Sequence, residues 1–274
     1  MDLSWTPPVM RAGYAGRGIV YLVVAGFSLW AIWRGGQAQG TQTALGQLES
    51  SGWGKLVLVL IALGMLAYAV WRVIDAYYDL EEYGTDGKGM IARAGMIVTG
   101  IAHLGIGLAA LSVLFASGGG SGEEGSTIAK WTGEVMSWPF GRFLVGFGGL
   151  CTIGAGIYYL KKAYKRDYLE KLYGNDVTRR FDPVLRAGVA AQGVIVTILG
   201  GFFTLAAWRY DPDQAGGMGQ VFDWLASQPF GNLIVIAICL GLLGFAVFLF
   251  VNAAYRIIPK VADDKPVTLK SVLD

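Results

Sequence analysis

His103 is the chain's only histidine, and it falls near the middle of an apolar run, 94–116, long enough to cross a bilayer. An ionisable group at that depth is costly to bury and is a functional candidate by default. Three chemistries suit a lone imidazole: hydrogen bonding as a neutral packing group, relaying a proton or contacting a ligand, and ligating haem or a metal. With no second histidine, a bis-imidazole haem is excluded within one chain. A histidine–methionine pair would need Met65, Met96 or another of the seven methionines to fall opposite. No histidine–glutamate metal motif is present, so no metal site is expected, and the sequence names no cofactor.

A second set of polar groups lies nearer one end of the spans. Asp75, Lys162 and Asn252 each stand 21 residues after a glycine (Gly54, Gly141, Gly231), and Arg72 precedes Asp75 by one helical turn. An Asp75–Lys162 pair at this level would lock or gate the inner face. The plainer reading is helix-end anchoring, with Lys162 reaching water along its aliphatic stem. The acids Glu123, Glu124, Glu134, Asp211, Asp213 and Asp223 lie in polar loops, where solvated carboxylates are expected. The stretch 118–125 reads as a flexible linker, because no lysine-bearing helix N-terminus follows it as a phosphate cradle requires. Cys151 and Cys239, the only cysteines, fall inside predicted helices and read as small packing residues rather than a disulfide. There is no strand–turn–helix context for a serine nucleophile either. A non-enzyme is expected.

These groups are positioned by membrane helices. Of 274 residues, 54% are hydrophobic and only 15% charged, against roughly 25% charged in soluble domains. Six apolar runs approach the length of about 20 residues needed to span a bilayer: 18–33, 56–74, 94–116, 143–160, 187–208 and 233–251. The first and fourth are short, so their helices should extend into the headgroup region. The first run is not read as a signal peptide, since the segment before it lacks a clustered basic region and the phrase that opens it opens two later runs as well. Of the 22 lysines and arginines, 17 fall on the side of the termini and of the loops after runs two and four, which by the positive-inside rule makes both termini cytoplasmic. Seven of nine tryptophans fall towards the other, outer side, and twelve of thirteen tyrosines towards the inner side, as interfacial anchors. A net charge of +2 gives no argument for nucleic acid.

The phrase is Arg11-Ala12-Gly13, repeated as Arg93-Ala94-Gly95 and Arg186-Ala187-Gly188, with a glycine seven residues after each arginine at Gly18, Gly100 and Gly193. The chain is therefore a tandem triplication: 1–84, 85–176 and 177–260, followed by a cytoplasmic tail, 261–274. The expected fold is an all-α integral membrane protein, six transmembrane helices as three parallel two-helix repeats in a pseudo-threefold bundle, with short interfacial helices on the outer side at about 44–53, 128–138 and 221–227. Aligning the first helices by their arginines sets Gly18, Tyr21 and Ala25 beside Gly100, His103 and Gly107, and beside Gly193, Val196 and Gly200. Residues three and four apart share a helix face, so this small–large–small stripe reads as a helix-packing seam or as the lining of a site.

The opening Arg-Ala-Gly, the Pro139-Phe140-Gly141 and Pro229-Phe230-Gly231 starts of returning helices, and the glycine-rich aromatic stretches Gly64-Met65-Leu66-Ala67-Tyr68 and Gly241-Leu242-Leu243-Gly244-Phe245 together resemble a bacterial family, domain of unknown function 1206. The resemblance covers nearly the whole chain. It implies a multi-pass protein of the bacterial inner (plasma) membrane and brings no activity, cofactor or catalytic residue. The middle unit departs most, with Cys151-Thr152-Ile153-Gly154 in place of the glycine-rich stretch. Two functional readings follow. One is a scaffold or accessory subunit that binds membrane lipid or another apolar ligand, or docks in a larger membrane complex or homo-oligomer. The other is a channel or transporter whose pathway runs past Tyr21, His103 and Gln192, with Arg72, Asp75 and Lys162 at the inner mouth.

Overall fold

The computed structural model describes residues 3, 5–115, 124–262 and 266–273. Most of the 118–125 stretch, with Glu123, lies outside them; Glu124 opens a helix. Six helices are long and apolar enough to cross a membrane: α1 (Thr6–Trp33), α3 (Gly54–Tyr78), α4 (Gly87–Phe115), α6 (Gly141–Lys165), α7 (Asp176–Arg209) and α9 (Gly231–Tyr255). Each outgrows its apolar run, most of all at its start in α1, α4 and α7. Pro7 and Pro8 begin α1, where a proline's missing N–H costs nothing. In α7, Asn175 accepts from the Thr178 N–H while the Thr178 hydroxyl accepts from the Asn175 N–H, which starts the helix ahead of Pro183.

Short helices α2 (Thr41–Glu49), α5 (Glu124–Ser137) and α8 (Met218–Ala226) each precede a returning helix. One device joins them in all three units. A Cβ on Gly54, Gly141 or Gly231 would sit 1.5, 1.8 or 2.0 Å from the carbonyl oxygen of Leu48, Val135 or Ala226, so the chain turns too tightly for any side chain there. In the second and third units the preceding Phe140 and Phe230 take left-handed backbone angles, φ 63° and 61°.

On the face that carries the termini, a short 3-10 turn, Asp167–Lys171, is stitched to the end of the chain. The Ile257 N–H donates to the Lys171 carbonyl and the Leu269 N–H to the Leu172 carbonyl. Leu269, which opens the last short helix, α10 (Leu269–Leu273), is fully buried. The segment read as a cytoplasmic tail is thus pinned at Leu269 across the loop between α6 and α7.

The long helices pack in the order α4, α3, α1, α9, α7, α6. First and third units form hairpins whose backbones touch. A Cβ on Gly16 would lie 2.5 Å from the Gly64 Cα, and one on Gly188 would lie 2.3 Å from the Phe245 nitrogen. The middle unit differs from the expected hairpin, because α4 and α6 are not among the packed pairs of the described residues. Instead α4 lies on α3, with Gly107 against Met65, and α6 lies on α7, with Gly149 and Gly156 under Thr204 and Thr197. The physical reason is visible at one position. Fourteen residues after the turn glycine, the first and third units carry Tyr68 and Phe245, buried rings that fill the centre, whereas the middle unit carries Ala155. Nothing large enough interlocks the middle seam.

Candidate functional site

The three glycines that follow the repeated arginines hold equivalent places. Gly18 lies under Phe250 of α9, Gly100 under Arg72 of α3 and Gly193 under Leu160 of α6, so each first helix meets the second helix of another unit through a side-chain-free spot. Gly107 and Gly200 repeat this two turns further along, against Met65 and Ile153. These seams bring the stripe residues between them inward, onto aromatic partners. The His103 ring lies 4.9 Å from that of Tyr68, and the Tyr21 ring 4.9 Å from that of Phe245.

At the centre lies Arg17, a residue the sequence reading counted only among the topology charges. It is 3% exposed. Its guanidinium sits 4.5 Å over the Tyr68 ring and 5.9 Å from that of Phe245, and one Nη donates to the Tyr68 hydroxyl at 2.8 Å. Nε has no partner, and among the described residues no carboxylate pairs with it. Arg72 donates its Nε–H to the same hydroxyl at 2.8 Å, so two cations converge on one phenol oxygen. A cation–π contact contributes about 2 kcal/mol when desolvated, and a hydrogen bond involving a charged group about 1.5–3. Stripping a cation of water costs several kcal/mol in a real protein. Two ring faces and one neutral hydroxyl offset part of that cost but supply no counter-charge. Arg17 lies about 16 Å along α1 from its start, at about 1.5 Å per residue, within the membrane-crossing helix and one residue before its apolar run. Gln192, at the same distance from its repeat arginine as Arg17, is 5% exposed and leaves its Oε1 unpartnered. That equivalence was the available signal for Arg17.

His103 bonds through Nδ1 to the Thr99 carbonyl at 2.7 Å. A carbonyl only accepts, so Nδ1 carries the proton and Nε2 is left as an acceptor. The imidazole is tied to its own helix rather than to a neighbour, and it faces the interior. Tyr21, His103 and Gln192 are thus gathered around the Arg17–Tyr68 pair, with Tyr159 of α6 joining through its ring, 6.2 Å from that of Phe245.

Nearer the face of the termini, the expected inner cluster is present in part and differently wired. Asp75, fully buried, pairs with Arg72 at 3.3 Å on its own helix, not with Lys162. Lys162 has no ion-pair or hydrogen-bond partner among the described residues and lies 5.9 Å from the Phe248 ring. Asn252 holds Arg256, its Oδ1 accepting from Nη1 at 2.6 Å. The organising anion is one that sequence reasoning missed. Glu81, in the loop after α3 and fully buried, accepts from Arg256 Nε at 2.9 Å and Nη2 at 2.5 Å, with Lys171 4.0 Å away. Burial alone would raise its pKa. Arg256, Arg72 and Lys171 outweigh that and hold the carboxyl down at about 2. Tyr83, which donates to Glu81, is pushed the other way, chiefly by burial. With the Asp75 and Glu81 charges taken up by Arg72, Arg256 and Lys171, the positive charges of Arg17 and Lys162 stay uncompensated. Among the described residues there is no cluster of histidine, cysteine and acids fit to hold a metal.

Comparison with known proteins gives no activity. A protein from Bacillus subtilis (strain 168) described as "Uncharacterized protein YxxB" is 26% identical over 256 residues, covering 92% of each chain. No solved structure matches. The model of one family, described as Domain of Unknown Function (DUF1206), matches three times, at residues 12–79, 94–166 and 187–256, each match beginning one residue after a repeated arginine. The chain therefore belongs to the DUF1206 family.

Proposed function

We propose that this is a non-enzymatic membrane protein that holds an amphiphilic anion drawn from the bilayer at the centre formed by Arg17, Tyr68, Arg72 and His103. The observation that carries this is Arg17: a guanidinium buried inside a membrane span, with Nε free and no carboxylate beside it. A permanent cation in such a place calls for an anion or a water-filled path. Two features favour a bound ligand over a flow of solute. The Glu81–Arg256 and Asp75–Arg72 pairs fasten the interior on the terminal side, and Tyr68 with Phe245 fills the middle. The transport reading keeps one supporting observation, the gathering of Tyr21, His103 and Gln192 in the interior. It requires those pairs to open. The helices form an incomplete pseudo-threefold ring broken within the middle unit, with α2, α5 and α8 at the outer membrane surface. The weight of lysine and arginine on the face of the termini, together with a bacterial relative, favours a plasma-membrane protein with both termini cytoplasmic.

The test is native mass spectrometry of the protein released from mild detergent, wild type beside Arg17→Gln. A stoichiometric anionic amphiphile on the wild type, absent from a variant that still folds, is the expected result. Identical spectra, or no bound mass on either, would refute it.

A further inference from the structure

The middle unit keeps the small residues of a helix seam and leaves them unused. Gly13 and Gly188 are two residues after their repeat arginines, and a Cβ on either would press to 2.6 or 2.3 Å into the backbone of the returning helix. Gly95 holds the same place, and a Cβ there meets nothing within 4 Å. On the returning side, Gly64 and Gly241 touch their partner helices, while Cys151, their counterpart ten residues after the turn glycine, is exposed. Gly148 and Gly154 likewise face open space, and Val98 is 67% exposed. Where two units are closed backbone to backbone, the third leaves the corresponding small residues of α4 and α6 uncovered.

Both helices also send a ring to the cationic centre. His103 reaches inward from α4 and Tyr159 from α6, and both flank the Tyr68–Arg17–Phe245 stack. Arg17 Nε and Gln192 Oε1, both on side chains more than nine-tenths buried, remain unpartnered there. The geometry points to a lateral portal between α4 and α6 through which a long-chain carboxylate enters from the bilayer, its head on Arg17 and its chain along Gly95, Val98, Cys151 and Gly154. This rests on the proposed anion-binding function and specifies its ligand and route. Charge and depth select the class. Arg17 stands about 24 Å along α1 from Trp33, the outer end of the apolar run, and so about 6 Å inside the inner edge of a core of about 30 Å that begins there. A carboxylic acid can cross an apolar portal in its neutral form and ionise beside a guanidinium, which favours the charged form, its proton leaving to the aqueous phase. A phosphodiester cannot shed its charge this way and keeps its head at the membrane surface.

Cys151 is a native reporter on the portal wall, and buried Cys239 is its internal control. In uncharged detergent, oleate is expected to slow maleimide alkylation of Cys151 at least fivefold, and methyl oleate to leave it unchanged. Gly154→Trp, at a position with room for the side chain, is expected to block oleate uptake while the protein stays folded; Arg17→Gln is expected to lose the oleate effect. Oleate retained in the mass spectrum without protection of Cys151 would overturn the portal and leave the Arg17 site standing. No oleate retained by the wild type would overturn both. Protection by phosphatidylglycerol as strong as by oleate would overturn the carboxylate class. Oxidative cross-linking of Cys151 between two copies in the absence of oleate would overturn the portal and show this face to be a contact between protomers.

Discussion

Glu81 is the position at which a single change should do the most damage outside the membrane span. Glu81→Ala leaves the Arg256 guanidinium, whose side chain is 7% exposed, with only Asn252 and the Tyr14 ring, while Lys171 keeps its bond to the residue-81 carbonyl but loses the nearby carboxylate. Two independent routes give the size of the loss. Removing one partner of a buried pair costs about 3–5 kcal/mol, because a charge is left desolvated and unpaired. A carboxyl held at about 2 instead of its ordinary 4.5 corresponds to roughly a 300-fold change in the folding equilibrium, or about 3 kcal/mol of stabilisation. The sign with pH follows from the lowered value. The stabilisation is fully present above about 4.5, where the unfolded carboxyl is ionised too, and is lost as pH falls towards about 2. Equilibrium unfolding in mixed micelles at pH 7 should therefore show a loss of about 3 kcal/mol for Glu81→Ala, and acid unfolding of the wild type should be steepest below pH 4.5, a slope that Glu81→Gln flattens. The double variant Glu81→Leu with Arg256→Met should recover most of the loss, since an apolar replacement removes both desolvation penalties. A loss below about 1 kcal/mol for Glu81→Ala, or a double variant worse than the single, would refute the account of a buried, paired inner cluster.

Two further outcomes follow from packing. Gly13→Ala and Gly188→Ala should each destabilise by at least 1–3 kcal/mol, the ordinary scale of overpacking, because the new methyl meets backbone that cannot yield; Gly95→Ala, at the matching position of the middle unit, should be neutral within about 0.5 kcal/mol in the same unfolding assay. Leu269→Ala should cost about 2–5 kcal/mol locally and expose the end of the chain, read as several-fold faster proteolysis after residue 260 with the helical core intact.

The architecture was legible in the sequence because it is written three times. Arginine, then glycine two and seven residues on, marks both seams of the first helix in the first and third units, and a proline-phenylalanine-glycine phrase marks the tight start of the second and third returning helices. The middle unit keeps that grammar, so its separation could not be read: Gly95 looks like Gly13, and only the absence of a ring at Ala155 hints that the partner helix has gone elsewhere. At the candidate site, Tyr21, His103, Gln192 and Arg72 were recognisable as polar residues in apolar surroundings. Arg17 stands one residue before the first apolar run, where arginines commonly face water. Glu81 looked like any loop acid, and its burial depends on Arg256, 175 residues away. Long-range pairing of this kind leaves no local pattern.

The separation of α4 from α6 also dictates an order of assembly. A ribosome delivers α3 before α4, so α4 finds its partner already in the membrane. By contrast α6 emerges with its own hairpin mate occupied elsewhere and must wait for α7, with Gly149 and Gly156 bare until Thr204 and Thr197 arrive. The protein is thus encoded as three helix pairs and packed as two sets of three, α4–α3–α1 and α9–α7–α6, which meet along α1 and α9. A chain cut between α4 and α5 should yield two fragments that reassemble when co-expressed, whereas a cut between α6 and α7 strands a helix without its neighbour.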